Sequence, residues 1–135
     1  MDTLREILSD IDKDINAIRK HVDNNYFRTF METAYLPSQR LPLPDGDAPY
    51  TPTKIETEVL TKGVIWQFLK KLNTLKRPEL KALRREVMFI DALENVTPAE
   101  AIVLIHMKDQ ILHKLYPNIT LSNLVKVGYF TAESK

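Results

Sequence analysis

Apolar residues recur in steps of four and three along the first part of the chain. They are Leu4, Leu8, Ile11, Ile15, Ile18 and Val22. This spacing predicts an amphipathic helix over residues 3–22. A strict alternation of fours and threes is also the spacing of a coiled-coil seam. The spacing therefore allows this apolar stripe to pack against either of two partners. One is the core of the same chain, and the other is the same helix of a second copy, which it would contact through Leu8, Ile11, Ile15 and Ile18.

Five further helices are predicted from apolar residues at helical spacing. Their expected ranges are 26–35, 55–72, 78–93, 98–111 or 98–115, and 120–127. The clearest start signal is Thr97-Pro98-Ala99-Glu100, which provides a hydroxyl cap, a first-turn proline and a capping-box glutamate. In the helix over 78–93 we expect five residues to face the core: Leu80, Leu83, Val87, Phe89 and Ile90. Gly63, in the helix before it, predicts a close helix crossing.

The segment 36–54 contains five of the eight prolines and the turn Asp45-Gly46-Asp47, so no helix is expected there. Its apolar residues favour an ordered, extended crossover that covers the helices, and a disordered linker is the alternative. We predict an all-α fold, namely a single domain of five or six helices with this proline-rich loop. Residues 1–24 form its N-terminal heptad helix and residues 25–135 its compact helical part.

Composition narrows the chemistry further. The 135 residues contain no cysteine, which excludes disulfides, thiolate zinc sites and cysteine nucleophiles. With only three glycines and no glycine-rich phosphate loop, an enzyme is not favoured, and we expect no cofactor and no metal. The longest apolar run is too short to span a bilayer, so we expect no membrane association. We expect a cytosolic setting instead.

The formal net charge is +1, so any attraction to nucleic acid must come from a local patch. Residues 70–86 contain seven basic and two acidic residues. Within the basic helix 76–86, Arg77, Lys81, Arg84 and Arg85 are predicted to share one face, which is a geometry able to contact phosphates or an acidic partner. The alternative is a solvated helix face, which we favour because no aromatic residue lies among the basic ones.

His106, Asp109 and His113 form the one arrangement that resembles a metal site. The two histidines are seven residues apart, whereas a metal-binding pair on a helix prefers a spacing of four. We therefore interpret both as surface histidines.

Two stretches resemble an uncharacterised family of small proteins encoded by large tailed bacteriophages, including T4-like phages of marine cyanobacteria. The first is residues 43–52, LPDGDAPYTP; the second is residues 83–98, LRREVMFIDALENVTP, followed by Met107-Lys108-Asp109. The resemblance runs from about Tyr26 to Phe130, and the chain departs from it most in the N-terminal helix.

This resemblance implies a viral origin but no activity. It favours a non-catalytic adaptor or host-takeover protein that binds a host or phage protein in the host cytoplasm. A homo-oligomer formed through the N-terminal stripe is the second partner left open above, and it follows from the heptad spacing and not from the resemblance. One alternative is a nucleic-acid-binding phage protein that uses the basic helix. Another is a minor structural component of the virion.

Overall fold

A computed structural model describes residues 3–46 and 49–131, and this part of the chain is helical with no strand. Seven α-helices and three short 3-10 helices follow one another. The α-helices are α1 (Leu4–Lys13), α2 (Asn25–Tyr35), α3 (Glu58–Lys70), α4 (Leu72–Leu75), α5 (Ala82–Glu94), α6 (Pro98–Lys108) and α7 (Leu121–Lys126). The 3-10 helices are Ile15–His21, Pro37–Gln39 and Leu112–Lys114. The all-helical prediction is thus confirmed for the described residues.

The predicted capping box at the start of α6 is confirmed. The Thr97 hydroxyl accepts a hydrogen bond from the Glu100 backbone N–H at 3.2 Å, and Glu100 Oε1 accepts one from the Thr97 N–H at 3.0 Å. Thr3 and Glu6 form a second capping box at the start of α1. Each box satisfies backbone donors that the first helical turn leaves unpaired.

The continuous helix predicted over residues 3–22 is wrong. It is interrupted at Asp14, which has an extended backbone (φ −150°, ψ 107°) and accepts a hydrogen bond from the Asn16 N–H at 3.0 Å. A short aspartate side chain competes in this way with the helical hydrogen bonds. The chain continues from Ile15 to His21 as a 3-10 helix.

The N-terminal stripe packs into the chain's own core, which is the first of the two partners left open for it. Leu8, Ile11 and Ile18 are buried, and Ile15 packs partly buried against the same cluster. That cluster extends from Leu4 to Phe130, with α2 packed most extensively on α6. The predicted self-association through these four residues is therefore corrected: a side chain already covered by its own chain offers no surface to a second copy.

Helix α5 begins four residues later than predicted and turns inward a face that shares only Phe89 with the expected one. Leu83 is 73% exposed and Val87 49% exposed, so neither faces the core as expected. The inward side chains are Arg85, Phe89, Ala92 and Leu93. Residues 78–81, expected to be the first turn of this helix, lie before it in a turn and a bend instead.

Arg85 explains this rotation, because its guanidinium binds the turn that precedes α5. Its Nε donates to the Leu75 carbonyl at 2.6 Å. One terminal nitrogen donates to the carbonyls of Arg77 at 2.8 Å and Leu80 at 3.1 Å. A charged donor that satisfies three carbonyls offsets the cost of its own burial.

The described residues of the proline-rich segment lie outside any helix except for Pro37–Gln39. Leu41 is buried, while Leu43 and Tyr50 pack partly buried against the core. No helix among the described residues is long and apolar enough to cross a membrane.

Candidate functional site

An open groove of about 810 Å³ lies between α3 and α5. Its walls are Leu60 and Val64 from α3 and Val87 and Met88 from α5. The two helices supply this groove because each carries apolar residues on its outer side as well as on its core side. Leu60 is 70% exposed and the neighbouring Val59 77% exposed.

Five large apolar side chains on these two helices are exposed, and we call them the α3–α5 face. They are Val59, Leu60, Val64, Leu83 and Val87. Three of them, Leu60, Val64 and Val87, line the same groove. Single exposed apolar residues are ordinary on protein surfaces, but several at one groove are typical of a contact surface. Sequence reasoning missed this face because it assigned Leu83 and Val87 to the core. The available signal was that α3 has more apolar residues than one buried face can take.

Gly63 lies on the α3 side of the groove, and the close helix crossing predicted there does not occur. A Cβ atom added to Gly63 would meet nothing within 4 Å. The missing side chain therefore widens the groove and brings no neighbouring helix closer.

Opposite charges mark the two ends of the groove. Lys71 and Arg84 line one end, because the connection 71–81 joins the end of α3 to the start of α5. Asp91 and Asn95 line the groove further along α5. Lys71, Arg84 and Asp91 are exposed and form no ion pair with any residue of the described part. These three charges are thus available to a partner.

The predicted basic patch is smaller in the structure than in the sequence. Arg77, Lys81 and Arg84 are exposed, but Arg85 is only 7% exposed and is held by the three backbone carbonyls described above. Arg85 is therefore corrected from a partner contact to a residue that orders the turn before α5. Periodicity could not show this, because arginine is rarely buried unless it is paired.

His106, Asp109 and His113 do not come together. His106 Nδ1 lies 2.8 Å from the Ile102 carbonyl of its own helix. Asp109 is paired with Lys108, and His113 is exposed on the following turn. No group of three histidine or acidic side chains suited to a metal ion occurs among the residues that the structure describes.

Two glutamates from different helices lie in a buried polar cluster that sequence reasoning missed. Glu100 is fully buried, and its Oε1 accepts a hydrogen bond from the Thr61 hydroxyl while its Oε2 has no partner. Glu58 Oε2 is 3.1 Å from a terminal nitrogen of Arg5, and its Oε1 is buried without a partner. Burial raises the pKa of Glu58, Arg5 opposes this, and the charge of Glu100 adds to it.

A cavity of about 480 Å³ lies next to Arg5 and Glu58. Glu58 and Arg5 both line this cavity and form an ion pair with each other, so the cluster connects α1 to the start of α3. No sequence spacing reports such a cluster, since Arg5, Glu58 and Glu100 lie far apart along the chain.

Comparison with known proteins identifies the family. The model of a family of unknown function, DUF6433, matches residues 7–114. The chain belongs to DUF6433. No curated protein and no solved structure matched it.

The DUF6433 match includes the N-terminal helix from Ile7 onward. This differs from the expectation that the chain departs from its family in that helix. The matched residues also include α3 and α5, the two helices of the α3–α5 face. Helix α7 begins after the last matched residue.

Within the DUF6433 region, the stretches that carry the resemblance contact one another. Lys108 is buried, and its Nζ donates to the carbonyls of Pro44 at 2.7 Å and Gly46 at 2.9 Å. Asp109 accepts the Gly46 N–H at 3.1 Å, and Glu94 accepts the Thr51 N–H at 2.7 Å. These side chains thus hold the proline-rich segment against α5 and α6, which is a structural role.

Proposed function

We propose that this DUF6433 protein is a non-catalytic interaction protein of phage origin. It acts in the cytoplasm of the infected cell by binding a helical surface of another protein molecule through the α3–α5 face. The observation that carries the proposal is the exposed apolar groove between α3 and α5.

The size and shape of the groove favour a helical partner. Each of its helices has 13 residues, so each is about 20 Å long at 1.5 Å per residue. A groove of this kind takes an apolar helix face through residues one helical turn apart. Covering a largely exposed valine or leucine contributes roughly 1–2 kcal/mol, so several such contacts suffice for specific binding.

The position of the charges also supports binding over chemistry. The apolar walls lie between the ionisable groups, and Lys71, Arg84 and Asp91 lie towards the ends and are exposed. Charges placed in this way orient a partner more than they strengthen its binding. We further propose that the chain forms a single domain in which the proline-rich segment is an ordered crossover, and the hydrogen bonds of Lys108 support this.

A photo-crosslinking residue tests the proposed contact surface. We would place it at Leu60, in the groove, and in a matched variant at Leu115, an exposed apolar residue outside the groove. In infected cells the Leu60 variant should give a protein adduct of defined mass, and the Leu115 variant should not. No adduct from Leu60, or the same adducts from both positions, would contradict the proposal.

Two other roles would give different results in the same cells. A nucleic-acid-binding protein would crosslink to nucleic acid and would lose affinity steeply with salt when Arg77, Lys81 and Arg84 are its contacts. A minor virion component would be found by mass spectrometry of purified particles.

A further inference from the structure

We propose that the molecule bound at the α3–α5 face is a second copy of this chain, packed face to face about a two-fold axis. This rests on the proposed function, in that the face is taken as the contact surface, and it names the partner. Two-fold packing requires a surface that is complementary to itself.

The charges of the groove meet this requirement. Lys71 and Arg84 lie at one end, and Asp91 lies two turns from Arg84 along α5. A two-fold axis through the middle of the face reverses the direction of the second copy. Arg84 of each copy then faces Asp91 of the other, which forms two equivalent ion pairs. Neither residue has an ion-pair partner among the described residues that would compete.

The apolar shape is complementary in the same arrangement. The open space at Gly63 gives each copy a hollow, and Leu60, Val64 and Val87 give each copy exposed side chains that line the same groove. Helices pack when side chains of one fill the grooves of another, with axes about 8–10 Å apart. The two copies would bury α3 and α5 of each as a four-helix layer.

The dimensions set the expected affinity. Two helices about 20 Å long and about 10 Å wide present a footprint of roughly 400 Å², whereas a standard stable interface buries about 800 Å² on each partner. We therefore expect a weak dimer with Kd in the micromolar range. This is why the experiment must cover roughly 1–500 µM protein.

Sedimentation velocity of the full chain, with charge-reversed variants, tests the proposal. The unchanged chain should shift from monomer to dimer across this range. Arg84→Glu and Asp91→Arg should each stay monomeric, because each variant places like charges opposite each other twice. Both substitutions lie at exposed positions, so circular dichroism and the melting temperature should be nearly unchanged.

Restoring the charge pairs makes the test specific. The double variant Arg84→Glu with Asp91→Arg should dimerise again, and an equimolar mixture of the two single variants should form heterodimers. Lys81→Glu is the matched control, since it reverses an exposed charge that does not line the groove, and it should dimerise like the unchanged chain.

Two results would overturn the inference. One is a monomer at every concentration; the other is a dimer that the two single variants leave unaffected. The crosslinking experiment separates these failures from failure of the proposed function. An adduct from Leu60 to a different protein, together with a monomeric chain in sedimentation, would retain the contact surface and exclude the second copy.

Discussion

Replacing Gly63 by alanine should stabilise the protein by about 1 kcal/mol. Glycine within a helix costs about 0.5–1 kcal/mol relative to alanine, because its unfolded backbone has more freedom to lose. Gly63 lies inside α3, and an added Cβ would meet nothing within 4 Å. No steric cost therefore opposes the gain, and a methyl group adds no side-chain entropy loss.

Urea unfolding at a protein concentration below that of dimer formation would measure this change. With an ordinary m-value of about 1–3 kcal/mol/M, the midpoint should rise by roughly 0.3–1 M. The melting temperature should rise by about 3–5 °C for a domain of this size. Gly128→Ala is the matched control with the opposite sign, because Gly128 has φ +83°, where a Cβ atom is strained.

A lower stability of Gly63→Ala would contradict this expectation. Such a loss would mean that a neighbouring element closely covers Gly63, as the sequence alone suggested. An unchanged stability would mean that the helix is not formed at this position. Either result would remove the open groove on which the proposed contact surface depends.

Three further predictions concern the interior. Arg85→Ala should cost about 2–3 kcal/mol, because it leaves three carbonyls without their charged donor, and Arg85→Lys should recover only part of this; equal urea midpoints for all three proteins would contradict it. Gln110 has φ 56°, and its side chain donates to the carbonyls of Thr33 and Leu36. Gln110→Ala and Gln110→Gly both lose these two hydrogen bonds, but only glycine adopts a positive φ without strain, so the alanine variant should be about 1 kcal/mol less stable than the glycine variant. Equal unfolding free energies for these two variants would show that the left-handed conformation carries no cost. Because burial raises the pKa of Glu58, its contribution to stability is present below about pH 4.5 and is lost as pH rises through the folded value. The stability of Glu58→Gln relative to the unchanged chain should accordingly increase between pH 4 and pH 7 in urea unfolding, and a constant difference would exclude the raised pKa.

Local signals in the sequence predicted several elements well. Helices α2, α6 and α7 lie within one or two residues of their expected starts. The capping box at Thr97 and Glu100 was identified because it involves residues three apart, whose contact follows from helix geometry alone. Absence of cysteine likewise excluded whole classes of site without any structure.

The orientation of α5 could not be derived in this way. Its apolar residues occur all around the helix, and of the five expected to face the core only Phe89 lies on the buried face, together with Ala92 and Leu93. The three carbonyls that receive Arg85 belong to the last residue of α4 and to the segment between α4 and α5, and no sequence pattern predicts these contacts. With Arg85, Phe89 and Leu93 inside, Leu83 and Val87 lie outside and supply two of the five residues of the α3–α5 face.

Helical spacing, capping residues and the absence of cysteine depend only on the order of residues, so the helical class, the starts of several helices and the lack of cysteine sites follow from the chain without its fold. The covered N-terminal stripe, the internal donors Arg85 and Lys108 and the open apolar groove follow from the packing of distant elements. The physical reason is that burial depends on which distant elements pack together, and a helical repeat is the same whether its apolar face meets its own core or a second molecule.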